Sequence, residues 1–370
     1  MKIAILINTS WNIYNFRKGL VMSFLKQGHQ VLALAPKDNY SERLESLGCQ
    51  YYDIQMSSQG MNPIKDLGFL RRLKRILREE QPDILLTYTI KPNIYGAIAG
   101  ASLGIPVIAN ISGLGTAFYE NGLLKKVASR LYQFAFEKIG AVFFQNKEDK
   151  QAFSEAIFFD QSKAFLLPGS GVDLNYFQTA PLPLGQKVTF VMVARLLIDK
   201  GVREFVAAAR FVHSKRQDVA FILVGSYDPD HPRSITDEEF NDLESSEDII
   251  YYPQQEDIRP ILAQATAVVL PSYREGTPKT LLEGGATGRP LITTDVPGCR
   301  NVVVHGINGL LCQAKSDEEL AKSLLEFIGL SIEEKIAMGQ KSRAIVEERF
   351  NEQIVINKYQ EQIDRQMSST

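Results

Sequence analysis

The feature that most constrains this chain is a series of short, mainly apolar runs separated by turns and helical stretches. KIAILIN (2–8), VLALAP (31–36), DILLTY (83–88), PVIANI (106–111) and AVFFQN (141–146) occupy the first half. They do not alternate apolar with polar residues, so a strand built from them must be covered on both faces. That is the situation of a parallel sheet with helices on either side. Between the runs lie helical patterns over 15–27, 40–47 and 65–80, the first two stopped by Gly28 and Gly48. This rhythm predicts a doubly wound α/β domain.

The rhythm breaks at FLLPGSGVDLNYF (165–177) and PLPLG, which read as a linker, and then resumes. KVTFVMVA (187–194), FILVGS (221–226), DIIYYP (248–253), AVVLPS (267–272) and PLITTD (290–295) are the strands of a second half. The expected organisation is therefore two facing Rossmann-like domains, 1–166 and 167–350. A last helical segment, 351–370, is expected to pack back on the first domain. Ligands of such sheets bind beyond the carboxyl ends of the strands, so the loops after these runs should line a cleft between the domains.

Composition narrows the possible partners. The net charge of -2 gives no global signal for nucleic acid. Residues 1–165 nevertheless hold 20 Lys and Arg against 14 Asp and Glu, whereas the remainder holds 21 against 29. A basic first half suits an anionic partner such as a phosphate or a membrane surface. Cys49, Cys299 and Cys312 are scattered and odd in number, which fits a reducing cytoplasm without a disulfide framework. MKIAILINTS is too short and strand-like for a signal peptide. The uncharged stretch 92–119 is interrupted by Gly96, Gly100, Gly104, Pro106, Asn110, Gly113 and Gly115. It reads as a buried helix, a strand and a glycine loop rather than a span of roughly 20 apolar residues.

Three stretches carry chemistry. In ARLLIDKG (194–201), Arg195 and Lys200 follow a strand and suit a diphosphate, the Arg as a bidentate donor and the Lys as a point charge. In REGTPKTLLE (274–283), Thr277 suits a helix N-cap and Pro278 the first helical position. The N–H groups of Lys279 and Thr280 would then face an anion at the helix start. Glu275 precedes this helix and Glu283 lies on it, so two carboxylates are available for vicinal sugar hydroxyls. The basic helix 65–80 carries Lys65, Arg71, Arg72, Lys74, Arg75 and Arg78 on one side and Leu67, Leu70, Leu73 and Leu77 on another. It suits either an anionic bilayer or an ordinary packed helix with a solvated face.

The combination of ARLLIDKG, LVGS, LPSYREGTPKTLLEGGATGRPLITTDVPGCRNVV and GINGLL resembles the retaining glycosyltransferases of family 4, with the two-domain GT-B fold. SWNIYNFRKGL, KPNIYGAIAG, NISGLGTAF and PGSGVDLNYF extend the resemblance over nearly the whole chain. They are similar to a bacterial branch that transfers an N-acetylhexosamine from a UDP-sugar to an undecaprenyl-diphosphate-linked sugar. That branch serves protein N-glycosylation and polysaccharide assembly. The resemblance implies α-linked N-acetylgalactosamine as first choice, no cofactor, no metal, and a cytoplasmic enzyme peripherally attached to the membrane. A UDP-sugar epimerase, a different UDP-hexose and a soluble acceptor are the alternatives. A two-lobe periplasmic sugar-binding protein is disfavoured by the N-terminus and the paired cations.

By the same resemblance Arg195 and Lys200 bind the donor diphosphate, Glu283 the ribose, and Glu275 the sugar near its reacting carbon. Gly276 and Thr277 touch sugar hydroxyls through backbone, with Pro278, Lys279 and Thr280 at the helix start. Gln255, in YYPQQEDI, sits at the uracil edge. Asn15, Arg17, Lys91, Ser112 and Gly113 stand on the acceptor side. Glu275 is either a nucleophile or a sugar-binding residue, and front-face attack is the favoured route to retention. The chain departs from many relatives in having Ser112 and Gly113 where they place a histidine, Pro253 where they place a glycine, and TSWN (9–12) in place of a glycine-rich loop. Asp228 and Asp230 form a DxD-like string without supporting motifs. The membrane contact is expected on 65–80 or on the apolar segment 123–139.

Overall fold

The structure is a computed structural model that describes residues 1–56, 63–114, 123–183, 185 and 187–368. The chain divides into two compact units, Met1–Ser170 with Glu352–Thr370, and Gly171–Asn351. Unit 1 runs β1 (Lys2–Leu6), α1 (Ser10–Lys26), β2 (Gln30–Ala35), α2 (Ser41–Ser46), β3 (Gln50–Asp53), α3 (Pro63–Glu80) and β4 (Ile84–Tyr88). It continues with α4 (Ile90–Leu103), β5 (Val107–Ile111), α5 (Leu123–Ala135), β6 (Ala141–Phe144), α6 (Lys147–Ala156) and β7 (Ala164–Leu166). Among the described residues the strands form one parallel sheet in the order β3-β2-β1-β4-β5-β6-β7.

Both faces of this sheet are covered, as the unbroken apolar runs require. Ala4 and Leu6 face the layer built by Phe69 and Leu73 of α3, Ile94 of α4, Tyr132 of α5, Phe136 just after it and Phe153 of α6. Ile3, Ile5 and Ile7 face the opposite layer, with Ile13, Val21 and Phe24 of α1. The period of two along β1 thus divides one run between two cores.

Unit 2 runs β8 (Val188–Val193), α7 (Val202–Lys215), β9 (Val219–Val224), α8 (Asp237–Glu244), β10 (Ile250–Tyr252), α9 (Arg259–Gln264) and β11 (Ala267–Leu270). It continues with α10 (Lys279–Ala286), β12 (Leu291–Thr294), α11 (Cys299–Val302), β13 (Gly309–Cys312), α12 (Asp317–Gly329) and α13 (Ile332–Arg349). Its parallel sheet has the order β10-β9-β8-β11-β12-β13. Chain order reverses between β1 and β4 in unit 1 and between β8 and β11 in unit 2. These are the two switch points where loops splay apart and leave room for a ligand.

Three strands were not expected: β3, β7 and β13. All are edge strands of three or four residues. Gln50–Asp53 has no apolar run at all, because an edge strand is half covered and needs none. Ala164–Leu166 overlaps the stretch read as linker. Helix α1 also begins earlier than expected. Thr9 takes the N-cap, its side chain accepting from the Asn12 N–H at 3.1 Å, so TSWN is a helix start rather than a loop.

The last helix, α14 (Glu352–Ser368), belongs to unit 1 and buries Val355, Ile356, Tyr359 and Ile363 in the α1 layer. The Asn110 side-chain amide, at the carboxyl end of β5, donates to the Tyr359 hydroxyl at 2.9 Å, and both residues are buried. Replacing Tyr359 by Phe removes the acceptor while the amide stays buried. A penalty of about 1–3 kcal/mol is expected for such an orphaned group. It should appear in urea unfolding of the variant, and an unchanged midpoint would mean that the amide finds another partner.

Candidate functional site

At the switch point of unit 2 the loop after β8 meets the loop after β11. The 194–201 segment leaves β8 still bonded to the extension of β9, Ala194 N–H to Val224 O and Leu196 N–H to Ser226 O, each 3.0 Å. It then turns through Ile198–Lys200 and enters α7 at Gly201. Gly201 has φ +76°, and a Cβ there would lie 2.1 Å from the Pro271 carbonyl oxygen. Only glycine allows both that conformation and that approach. The result brings residues 75 apart in sequence into contact: Lys200 Nζ lies 2.5 Å from Glu275 Oε1. The side chains keep 23% and 13% of their exposure. Arg195 is exposed and has no ion-pair partner among the described residues.

Glu275 is held from two further directions. The Ser272 hydroxyl donates to Oε1 at 2.7 Å, and the Glu275 N–H bonds to Pro297 O at 3.3 Å. Gly298 closes the rear of this loop, with φ +85° and a position where a Cβ would stand 2.5 Å from the carbonyl oxygens of both Glu275 and Gly276. The sequence pattern alone assigns no role to Gly298 or Ser272. The Pro-Gly pair after an apolar strand was the available signal for the first.

The start of α10 differs from the expectation by one residue. Pro278 is the N-cap, extended at φ -73° and ψ 113°, and the helix begins at Lys279. The Pro278 carbonyl accepts from Leu281 and Leu282 at 3.1 and 3.3 Å. The proline ring fixes φ but leaves ψ open, so it serves the cap position as well as the first turn. The Thr280 hydroxyl donates to Val193 O at 2.8 Å, tying the helix start to the end of β8. Gly276 and Thr277 are half-buried in the loop before it.

Glu283 projects from α10 and is 9% exposed, with Lys279 Nζ 3.7 Å away. Burial pushes its carboxyl above the ordinary range, and Lys279 works against that shift. Nearby is a cluster that the sequence did not suggest. The Arg259 guanidinium pairs with Asp257 through two bonds of 2.8 and 2.7 Å and sits 3.8 Å from the Tyr176 ring centroid. The Tyr176 hydroxyl is raised above its usual range by burial and by the charge of Asp257, with a smaller contribution from Glu283. Gln255 folds back onto the Pro253 carbonyl at 2.9 Å. The Asp228 carboxylate accepts from the Asp230 N–H at 3.2 Å, so the DxD-like string closes a local turn.

In unit 1 the expected acceptor-side residues lie in varied settings. Arg17, on α1, is 7% exposed, its guanidinium 4.5 Å from the Tyr88 ring centroid and one nitrogen bonded to Phe16 O at 2.9 Å. Its Nε has no partner and lies by a cavity of about 10 Å³ lined also by Asn110, Ser170 and Tyr359, room for roughly one water molecule. Ser112 donates to Asn110 at 3.1 Å, next to Gly113. The Asn15 amide bonds to Trp11 O within its own helix at 2.9 Å. Lys91 is committed to Asp66 of α3 at 2.8 Å, and the Tyr95 hydroxyl also reaches Asp66 at 3.1 Å. Beyond Leu114 the motif NISGLGTAF lies outside the described residues.

Helices α3, α4 and α5 pack in one layer on the same side of the unit 1 sheet. Leu73 and Leu77 point into that layer, but Leu67 does not. It is 47% exposed beside Ile64 at 85%, on the face that presents Arg71, Arg75 and Arg78. On α5, Val127 and Phe134 are exposed at 39% and 65%, with Lys126 and Arg130. No helix of the described residues is long and apolar enough to cross a membrane.

The burial of Glu283 has a testable consequence for stability. A carboxyl whose folded pKa lies above its unfolded value removes stability as pH rises through that interval, and removes none below it. The Glu283→Gln variant should therefore melt at or above the wild-type temperature at pH 8, and the difference should close near pH 4. Differential scanning calorimetry at the two pH values checks this. A variant that melts lower at pH 8 would mean that Lys279 outweighs the burial.

Comparison with known proteins agrees with this geometry. Residues 2–146 match the family described as glycosyl transferase 4-like, and residues 187–329 match glycosyl transferases group 1. The N,N'-diacetylbacillosaminyl-diphospho-undecaprenol alpha-1,3-N-acetylgalactosaminyltransferase of Campylobacter jejuni is 27% identical, covering 99% of each chain. An Escherichia coli UDP-Gal:alpha-D-GlcNAc-diphosphoundecaprenol alpha-1,3-galactosyltransferase is 27% identical over 71% of this chain and 70% of its own length. Among solved structures, Anabaena HepE in complex with UDP-glucose superposes with a TM-score of 0.80 at 19% identity, each chain fully covered. WaaG, a glycosyltransferase of lipopolysaccharide biosynthesis, gives 0.71 at 15% identity over 97% and 98%. With two parallel-sheet Rossmann-like units and a glycosyltransferase match in each, the chain belongs to the group 1 and 4-like glycosyltransferases of GT-B fold.

Proposed function

We propose that the chain transfers an N-acetylhexosamine, with N-acetylgalactosamine in α linkage as first choice, from a UDP-sugar to an undecaprenyl-diphosphate-linked sugar. The single observation that carries this reading is the meeting of Lys200 and Glu275 at 2.5 Å, at the unit 2 switch point and next to the start of α10. A cation, a carboxylate and a helix N-terminus gathered there suit a sugar attached to a diphosphate. Two relatives whose names specify undecaprenyl-linked acceptors support the acceptor class.

In this reading unit 2 holds the donor. Arg195, Lys200 and the first turn of α10 take the diphosphate, Glu275 with the Gly276 and Thr277 backbone takes the sugar, and Glu283 takes the ribose. Gln255 lies at the base edge. The acceptor hydroxyl attacks the anomeric carbon from the side of the departing group. The new carbon–oxygen bond forms as the bond to the diphosphate oxygen breaks, and the hydroxyl proton passes to that oxygen. Negative charge grows on UDP as it leaves, and fixed cations there lower the barrier without reorganising. Unit 1 takes the acceptor, with Lys91, Asn15, Ser112 and Gly113 at the strand ends. Arg17 acts from beneath through its charge.

The decisive assay is UDP release from UDP-N-acetylgalactosamine with and without lipid-linked acceptor. Acceptor-dependent release supports transfer, whereas conversion of the sugar nucleotide alone means an epimerase. Lys200→Ala and Arg195→Ala should each lower kcat/KM by roughly 10²–10³, the scale of one lost charged contact in the transition state. Turnover should persist in excess EDTA. Near-normal turnover in either variant removes that residue from the diphosphate clamp, and activity restored to an EDTA-treated sample by Mn²⁺ or Mg²⁺ removes the metal-free mechanism.

The acceptor's lipid calls for contact with a bilayer. The outward face of α3 and the exposed apolar residues of α5 support a docking surface for anionic lipid. Each basic residue near such a surface contributes about 1 kcal/mol. Replacing Arg71, Arg75 and Arg78 by Gln should release the protein from phosphatidylglycerol vesicles at low salt while sparing turnover of a short-chain soluble acceptor. Vesicle binding indifferent to both the substitutions and salt would place the contact elsewhere.

A further inference from the structure

Glu275 Oε1 receives two donors of unlike character. Lys200 brings an ammonium on a four-carbon stem, a group that can swing away to another anion. Ser272 brings a short hydroxyl from a residue with no exposed surface. The peptide that follows it is held at both its carbonyl and its N–H. The Ser272 carbonyl accepts from the Thr294 hydroxyl of β12, and the next N–H, of Tyr273, bonds to Asp199 O at 2.9 Å. Of the two donors, only the serine stays in place when Lys200 is drawn towards a diphosphate.

We infer that Ser272 is a positioning residue for Glu275. Resting on the donor reading given above, the inference is that its hydroxyl occupies Oε1 and so leaves Oε2 presented to the hydroxyls of the bound sugar. A carboxylate has about four acceptor positions on two oxygens, and a neighbour that fills one oxygen decides which way the other faces. Without the serine, Lys200 is the sole side-chain partner among the described residues, and the carboxylate follows the lysine instead of the sugar. Ser272 therefore serves the sugar half of the donor and is indifferent to the nucleotide half.

The test compares UDP with UDP-N-acetylgalactosamine by calorimetry on the full chain. Ser272→Ala should leave the Kd of UDP within about twofold and weaken UDP-N-acetylgalactosamine by about tenfold, the scale of one hydrogen bond to a charged group. Ser272→Cys, which keeps a weak donor of similar size, should fall between. Circular dichroism melting of each variant confirms folding. Equal effects on both ligands, or none on either, overturn the inference when Glu275→Gln still weakens the sugar nucleotide selectively. If Glu275→Gln itself has no selective effect, the sugar role of Glu275 fails and the inference falls with it.

Discussion

The structure of the site depends on an ammonium and a carboxylate brought into contact where two strand-end loops meet. Lys200 and Glu275 are both largely shielded from water. Removing two charges from water costs several kcal/mol per ion, and their attraction does little more than offset that cost. An apolar pair of the same size would serve stability as well. The contact is therefore poor evidence of a stability device, and better evidence that a charged ligand completes it. The same argument applies to Glu283, whose carboxyl is raised by burial with one lysine beside it. A carboxylate paired with a lysine and a second raised by burial, both in the strand-end region of one sheet, offer acceptors suited to hydroxyl groups.

The fixed geometry behind that contact comes from backbone rather than side chains. Gly201 lets the β8 loop press on Pro271, and Gly298 lets the β12 loop press on Glu275 and Gly276. Any Cβ at these points would force the loops apart. The central strands β8, β11 and β12 set the spacing of the loops, and the glycines remove the remaining gap. The polar side chains then need only short reaches: Thr280 to the end of β8, and Ser272 to Glu275.

What was legible in the sequence follows from this division. The central strands were readable because a strand covered on both faces must be apolar throughout, so KIAILIN and AVVLPS could not be anything else. Three of the four edge strands were not: QYYD needs cover on one side only and shows no apolar run, and AFL is three residues inside a stretch that reads as linker, whereas the edge strand in DIIYYP was legible. Residues at the site were readable as types in a pattern, and family resemblance supplied roles. Their contacts were not readable. Nothing in the chain order places Lys200 on Glu275, and nothing in FLLPGSGVDLNYF suggests that Tyr176 stacks under Arg259. The cap of α10 was misplaced by one residue because a proline fits both positions, and only ψ distinguishes them.

The two units handle charge differently, and this bears on what each can do. In unit 1 two of the cations expected to meet the acceptor are already engaged, Lys91 with Asp66 and Arg17 with the Tyr88 ring. The Lys91–Asp66 pair joins α4 to α3, the helix whose outer face carries Arg71, Arg75 and Arg78 beside Ile64 and Leu67. A shift of Lys91 towards an incoming diphosphate would leave Asp66, 4% exposed, with the Tyr95 hydroxyl as its remaining side-chain partner among the described residues. A buried carboxylate losing its cation is costly, so a displacement of Lys91 would be felt by α3. In unit 2 Arg195 has no ion-pair partner among the described residues, and Lys200 is held by Glu275. An anion could thus reach Arg195 without displacing an ion-pair partner among the described residues, whereas one that drew on Lys91 would disturb the contact between α4 and α3.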